Sequence, residues 1–328
     1  MTVLITGIAG FVGGHLVEFL RQEHPDTRIL GLVRPGWPVP AGLSSRAELI
    51  EVELEDAASV ENALADVVPE RVVHLAAQSS PQQSWVDPEG TFRSNVLGLL
   101  HLLESLRKRS LTPRVLVVGS GEEYGLVSAR DLPLSEDAPI RPLTPYAASK
   151  VSQGMLALQY ALGAGIPSIR TRTFHHTGPG RGAAFAESSF ARQIAEIEAG
   201  LQPPVVEVGN LEAVRDFTDV RDVVRAYWAL LDRGESGAVY NVCSGRPTPI
   251  RHILDALIAV SGAKVEVRVD PARMRPSEVP ALVGDPGRLV RVTGWQARIP
   301  LTRTLADLLE AVRADLKAGL AGMSRQGE

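Results

Sequence analysis

Along the first half of the chain, apolar residues come in short, nearly continuous blocks: Thr2–Thr6, Arg28–Val33, Glu48–Leu54, Arg71–Ala77 and Arg114–Gly119. Blocks that are apolar at successive positions, and not at alternate ones, suit parallel strands covered on both faces. Between them the period changes. Phe11–Arg21 sets Phe11, His15–Leu16 and Phe19–Leu20 on related faces of a helix, and helical stretches follow near Ala57–Val67 and Phe92–Lys108. Strand and helix alternating at this spacing predict a doubly wound α/β fold on a parallel sheet.

The second half is less regular. Proline and glycine cluster at Thr177–Gly182, Gln202–Pro204, Gly245–Pro249 and Asp285–Gly287, marking loops. Helices are predicted over Phe190–Ala199, Val220–Leu231 and Ile250–Val260, with short strands at Val205–Gly209, Val239–Cys243 and Lys264–Val269. The chain should therefore divide into a large domain, residues 1–170 with a returning segment 211–243, and a smaller mixed α/β lobe, 174–208 with 244–315. Residues 318–328 should fray.

Composition narrows the function classes. The 328 residues are 45% hydrophobic and 22% charged, as in a soluble globular protein of about two domains. Lys+Arg of 34 against Asp+Glu of 38 leaves −4, which gives no basic footprint for nucleic acid. A single cysteine, Cys243, excludes an intrachain disulfide and any multi-cysteine zinc cage, and suits a reducing cytoplasm. The first charged residue is Glu18, yet the stretch before it lacks a basic start and carries Gly7, Gly10, Gly13 and Gly14. It reads as strand, turn and helix, not as a secretory or membrane segment.

That glycine turn carries the first candidate chemistry. Thr6-Gly7-Ile8-Ala9-Gly10-Phe11-Val12-Gly13 directly follows a strand and opens a helix. Glycines at this spacing let the backbone turn tightly, approach a pyrophosphate and pack the helix on the sheet, while the helix N-terminus offers N–H groups to the phosphates. About 20 residues further on, an acid selects a free ribose 2′-hydroxyl and an arginine a 2′-phosphate. Arg34 stands 21 residues after Gly13, and no Asp or Glu lies between Asp26 and Glu48. The predicted cofactor is NADP(H).

Tyr146-Ala147-Ala148-Ser149-Lys150 then sets a tyrosine and a lysine on one helix face. A lysine ammonium there should lower the tyrosine pKa from about 10, fitting Tyr146 for proton exchange with a carbonyl or alcohol. Ser120, at the end of an apolar strand, lies 26 residues upstream. His175-His176 does not read as a metal site, because adjacent imidazoles converge poorly on one ion and no third ligand stands at metal spacing.

Together with His74-Leu75-Ala76-Ala77-Gln78-Ser79 and Asn95, these motifs resemble the extended short-chain dehydrogenase/reductase family, in its nucleotide-sugar branch. The resemblance covers nearly the whole chain and implies a Rossmann-type doubly wound sheet with a smaller substrate-binding lobe. Gly209–Phe217, Tyr240–Gly245 and Arg275–Pro280 look like the enzymes of GDP-mannose metabolism, a 4,6-dehydratase and a 4-keto-6-deoxy sugar reductase. The resemblance implies that Ser120 holds the sugar C4 oxygen, Tyr146 exchanges its proton and Lys150 holds the nicotinamide ribose. Glu53, Leu54, Leu75–Gln78, Phe174 and His176 would line the cofactor path, with Asn95 as a brace. Ser79, Ser84, His175, Val208 and Asn210 would touch substrate, Arg215 and Arg275 the GDP diphosphate, and Glu278 a ribose hydroxyl. The helices around Phe92–Lys108 and Val151–Leu162 would pair in a homodimer through a four-helix surface.

Two activities compete within that resemblance. Dehydration needs a base besides Tyr146, and a period of two puts Glu122 on the same side as Ser120, where the dehydratase base stands. Against it, Gly121 replaces a serine of the dehydratase pattern, and Pro179-Gly180-Arg181-Gly182 has one arginine where those enzymes carry two. Arg172–Gly180, Arg215–Val220 and Tyr240–Gly245 look more like the reductase, although His175 replaces an asparagine expected in either. The expected reaction is NADPH-dependent reduction of GDP-4-keto-6-deoxy-D-mannose to GDP-D-rhamnose. The alternatives are GDP-mannose 4,6-dehydration, an enzyme doing both, or a non-catalytic NADPH-binding relative.

Overall fold

A computed structural model describes residues 1–274 and 279–326. Its first half runs β1 (Thr2–Thr6), α1 (Phe11–Glu23), β2 (Arg28–Val33), β3 (Glu48–Glu51), α2 (Ala57–Ala63), β4 (Arg71–His74), α3 (Pro81–Val86), α4 (Pro88–Phe92), α5 (Gly98–Lys108), β5 (Arg114–Ser120), α6 (Pro145–Gly163) and β6 (Ser168–Thr173). There follow β7 (His175–Thr177), α7 (Ala186–Glu198), β8 (Val205–Val208), β9 (Val214–Asp219), α8 (Val220–Arg233) and β10 (Val239–Val242). The chain closes with β11 (Pro247–Pro249), α9 (Ile250–Ser261), β12 (Glu266–Val269), β13 (Ala281–Leu282), α10 (Gly287–Thr293) and α11 (Leu301–Gln326).

Seven strands form one sheet in the order β10-β6-β5-β4-β1-β2-β3, with every pairing parallel. The alternation of strand side chains explains why its strands read as continuous apolar runs. Val3 and Ile5 enter a core with Leu16 and Leu20 of α1 and with Val223 and Leu230 of α8. Leu4, between them, enters the opposite core with Leu99, Leu102 and Leu106 of α5 and Ala157 of α6. Each such fully buried side chain stabilises the fold by roughly 1.5–3 kcal/mol. The strand order reverses between β1 and β4, so a crevice opens there at the carboxyl ends of the strands.

Three local differences from the hydrophobic pattern matter for the crevice. β3 stops at Glu51, level with the end of β2 at Val33, and β4 at His74, level with the end of β1 at Thr6. The long helix predicted over Phe92–Lys108 is interrupted by a π-helical turn at Arg93–Leu97. Finally, Ser120 is followed by a 3₁₀ turn, Gly121–Tyr124, so the strand period does not reach Glu122.

The remaining strands form a smaller body. β9 pairs parallel with β7 and β13 and antiparallel with β11, while β12 and β8 make a separate parallel pair. Ile194 of α7, Leu254 of α9 and Leu308 of α11 meet in its own core. The returning segment 211–243 is divided: β9 belongs with these strands, and β10 with the large sheet. The tail expected to fray continues as helix to Gln326. Among the described residues, no helix is long and apolar enough to cross a membrane.

Candidate active site

At the crevice a cavity of about 800 Å³ brings most of the sequence-predicted residues together. Gly7, Gly10, Phe11, Val12 and Gly13 line it from the β1–α1 turn. Gly7 has φ +69°, and a Cβ there would stand 2.8 Å from the Ala76 nitrogen; a Cβ on Gly13 would press on the Ile8 carbonyl. Only glycine allows this close approach. No side chain caps α1 at Gly10, so its first N–H groups keep no side-chain partner. Leu75, Ala76, Ala77, Gln78 and Ser79 line the next stretch of wall, beyond β4. Arg34 also lines the cavity, where its Nε donates to Glu53 Oε2 at 2.9 Å, beside Leu54.

The π-helical turn aims Asn95 inward. Its Oδ1 accepts from the Gln78 N–H at 2.8 Å, and its Nδ2 donates to the Gln78 carbonyl at 3.1 Å and to Ser149 Oγ at 2.8 Å. One buried amide thus ties the β4 loop to α6. That helix starts where Thr144 Oγ1 accepts the Ala147 N–H at 3.0 Å and Pro145 occupies its first turn, a strong start signal. Tyr146 therefore sits in the first turn and Lys150 one turn on, both buried and both lining the cavity with Ser120.

The electrostatics differ from the sequence expectation. Burial pushes the Tyr146 hydroxyl up to about 12; a hydrogen bond from Ser120 pulls it down, Glu122 and Glu123 push it up, and Arg181 pulls it down. Lys150 has polar partners of its own. Its ammonium donates to the Val118 carbonyl and to Gln153 Oε1, each at 2.9 Å, and burial lowers it to about 8. The Tyr146 hydroxyl thus lies above its ordinary value and not below it, against the depression expected from Lys150, because burial outweighs the groups that pull it down.

Glu122 lines the cavity, though on the 3₁₀ turn and not on a strand face. Its N–H donates to Ser120 Oγ at 3.2 Å. Phe174, His175 and His176 also line the cavity, His176 stacked on Phe11 with ring centroids 6.1 Å apart. Four other predicted residues lie outside the lining. Ser84 is buried in α3 and donates to the Pro81 carbonyl at 2.7 Å. Val208 packs in the small core, and Asn210 Oδ1 accepts the Glu212 N–H at 2.9 Å. Arg215, on β9, is buried and donates to the Val214 carbonyl at 3.0 Å. Arg275 and Glu278 lie outside the described residues.

Sequence reasoning missed two groups here. Glu123 is buried, accepts the Ser120 N–H at 2.8 Å and pairs with Arg172 at 3.1 Å, fixing the turn that carries the serine. Its spacing of three from Ser120, a capping box, was the available sign. Arg181 lines the cavity, and its place in a Pro/Gly-rich loop gave no periodicity to find it by.

Fold and site define an extended short-chain dehydrogenase/reductase that handles nucleotide sugars. Residues 4–308 match the protein-family model described as GDP-mannose 4,6 dehydratase. The chain is 37% identical over 310 residues to GDP-6-deoxy-D-mannose reductase of Pseudomonas aeruginosa, covering 94% of this chain and 95% of that one. To GDP-mannose 4,6-dehydratase of Vibrio cholerae it is 29% identical over 345 residues, 93% of this chain and 92% of that one. Among solved structures, RMD from Pseudomonas aeruginosa complexed with NADPH superposes with a TM-score of 0.85 at 35% identity, over 96% of this chain and 99% of that one. The chain belongs to the GDP-mannose 4,6-dehydratase-like family.

Proposed function

We propose that the protein reduces the 4-keto group of GDP-4-keto-6-deoxy-D-mannose to give GDP-D-rhamnose, with NADPH as the reductant. The observation that carries this reading is the convergence of Ser120, Tyr146 and Lys150 on the cavity of the uncapped, glycine-flanked α1 terminus. The identity to a GDP-6-deoxy-D-mannose reductase, higher than to the dehydratase, supports it. The residues also fit the cofactor. Gly7 and Gly13 keep side chains out of the turn, α1 offers N–H groups to a pyrophosphate, and Arg34 is a partner for a 2′-phosphate.

Bound there, the nicotinamide supplies the hydride. With its pKa at about 12, Tyr146 is protonated at neutral pH and donates its proton to the C4 oxygen as charge develops on it. Ser120 holds that oxygen by a hydrogen bond. Lys150 holds the nicotinamide ribose and offers a positive charge behind the phenolate that Tyr146 leaves. The GDP belongs to the lobe of residues 174–208 and 244–315 together with β9, across from the domain of 1–170 that β10 completes. There Arg215 and Arg275 take the diphosphate, Glu278 a ribose hydroxyl, and Ser79, His175 and Asn210 the rest of the nucleotide sugar, with fully buried Ser84 and Val208 supporting the walls behind them. The active form is a homodimer, through α5 and α6, where exposed Leu97, Met155 and Leu162 offer an apolar face. A buried lone Cys243 suits the cytoplasm.

A second reading has one specific observation behind it. Glu122 lines the same cavity as Tyr146, where a carboxylate is a base for the sugar C5 proton, the step that 4,6-dehydration needs. The reductase reading is tested by the ultraviolet absorbance of NADPH. Added keto sugar should drive its loss, one cofactor per sugar, and an unchanged absorbance rules the reading out.

A further inference from the structure

Arg181 sits in the wall of the nucleotide cavity without a role in the chemistry above. Its side chain is 15% exposed, and its guanidinium lies 3.4 Å from the ring centroid of Phe185 and 5.1 Å from that of Phe11. The Nε is buried and makes no hydrogen bond; its ion pair with the Glu187 carboxylate is a long one, at 3.8 Å, which leaves the donor itself unmet. A buried cation with an unmet donor is costly unless an anion meets it. The loop that carries it is pinned to α1, because His15 Nε2 lies 2.8 Å from the Pro179 carbonyl. Phe11, which the guanidinium covers, is the first residue of α1. A guanidinium and a helix N-terminus, the two commonest phosphate partners, therefore bear on the same stretch of wall.

We propose that Arg181 is an anion-binding residue that clasps a diphosphate against the N-terminus of α1. The chemistry is shared by the cofactor's pyrophosphate and by the diphosphate of a sugar nucleotide, and the proposal rests on the nucleotide reading of the cavity. Phe11 and Phe185 flank the guanidinium, so the ligand meets a charge that is already positioned.

Calorimetric titration of wild type, R181M and R181K with inorganic pyrophosphate, NADPH and GDP tests this, with melting temperatures to check folding. R181M should bind pyrophosphate and at least one nucleotide about tenfold or more weaker, the worth of a charge-assisted hydrogen bond. R181K, which keeps the charge, should recover a large part of the loss. R181Q replaces R181M if that variant does not fold. Loss confined to NADPH assigns the cofactor's pyrophosphate, and loss confined to GDP the sugar nucleotide's. Wild type that binds pyrophosphate through Arg181 but not GDP would leave this assignment standing and remove the GDP-sugar reading. Unchanged affinities in R181M, R181K as weak as R181M, or a wild type that binds no diphosphate overturns the proposal.

Discussion

In the seven-stranded sheet, neighbouring residues of one strand part company: Val3 and Ile5 go to one apolar layer and Leu4 to the other. β9, in the smaller body, carries Arg215, Asp216, Thr218 and Asp219 through the interior. Its carboxylates hold distant segments together. Asp216 accepts the N–H groups of Ser244 at 2.8 Å, Gly245 at 2.9 Å and Gly284 at 3.3 Å, with the Ser244 hydroxyl at 2.6 Å. Asp219 caps α8 through the Arg221 N–H at 2.8 Å and accepts the Thr304 hydroxyl at 2.7 Å. The large sheet is specified by local hydrophobic period, the small body by polar ties between residues far apart in the chain.

Four perturbations test that contrast. The largest effect should come from Tyr146→Phe, on the large-sheet side of the cavity. Removing a positioned proton donor should lower turnover by about 10²–10⁴-fold. NADPH affinity, read by fluorescence titration, should hardly move, and a variant that keeps near-normal turnover would remove Tyr146 from the chemistry. Asp216→Ala comes next. Stripping one carboxylate leaves several buried donors unmet, so denaturant melts should record a loss on the order of 3 kcal/mol, with GDP binding weakened more than NADPH binding. A loss like that of an ordinary surface substitution would mean that polar ties do not hold the small body.

Arg34→Asp should weaken NADPH by about ten- to a hundredfold while leaving NADH nearly unaffected, since it exchanges a phosphate partner for a repulsive charge. Equal loss for both cofactors in equilibrium titrations would contradict the 2′-phosphate assignment. The last effect is on acid stability, small at any pH near neutral. Burial holds His74 down at about 3 and His176 at about 4, against 6.5 ordinarily. As pH falls below 6.5 the unfolded chain takes protons at both residues before the folded one does, so stability is lost through that window. The slope is roughly 1.4 kcal/mol per pH unit for each histidine. His176→Gln should remove about half of that slope in melts between neutral and acid pH, and an unchanged slope would show that His176 takes up protons in the folded state.

The same contrast explains what the chain disclosed of itself. Six of the seven strands of the large sheet, all but β6, the glycine turn, and the positions of Ser120, Tyr146 and Lys150 were legible because each rests on residues within a few positions of one another. β6, Ser168–Thr173, carries two arginines among mostly polar residues and does not read as an apolar run. β9 was not, since its charged residues look like a solvated loop until their partners at 244, 284 and 304 are in place. The 3₁₀ turn after Ser120 escaped as well: Glu123 folds back on the serine's own N–H, which a strand period cannot anticipate. Arg181 depends on two aromatic rings from separate elements.

Reduction of a 4-keto sugar is the activity to which the site is fitted. Its most direct test is NMR identification of products from two separate incubations, for wild type and for Glu122→Gln. With the keto sugar and NADPH, wild type should give GDP-D-rhamnose, and Glu122→Gln should do so nearly as fast, because reduction asks nothing of a C5 base. With GDP-mannose alone, neither should react. Formation of the 4-keto-6-deoxy sugar from GDP-mannose without added NADPH, stopped by Glu122→Gln, would contradict the account and make the protein a dehydratase.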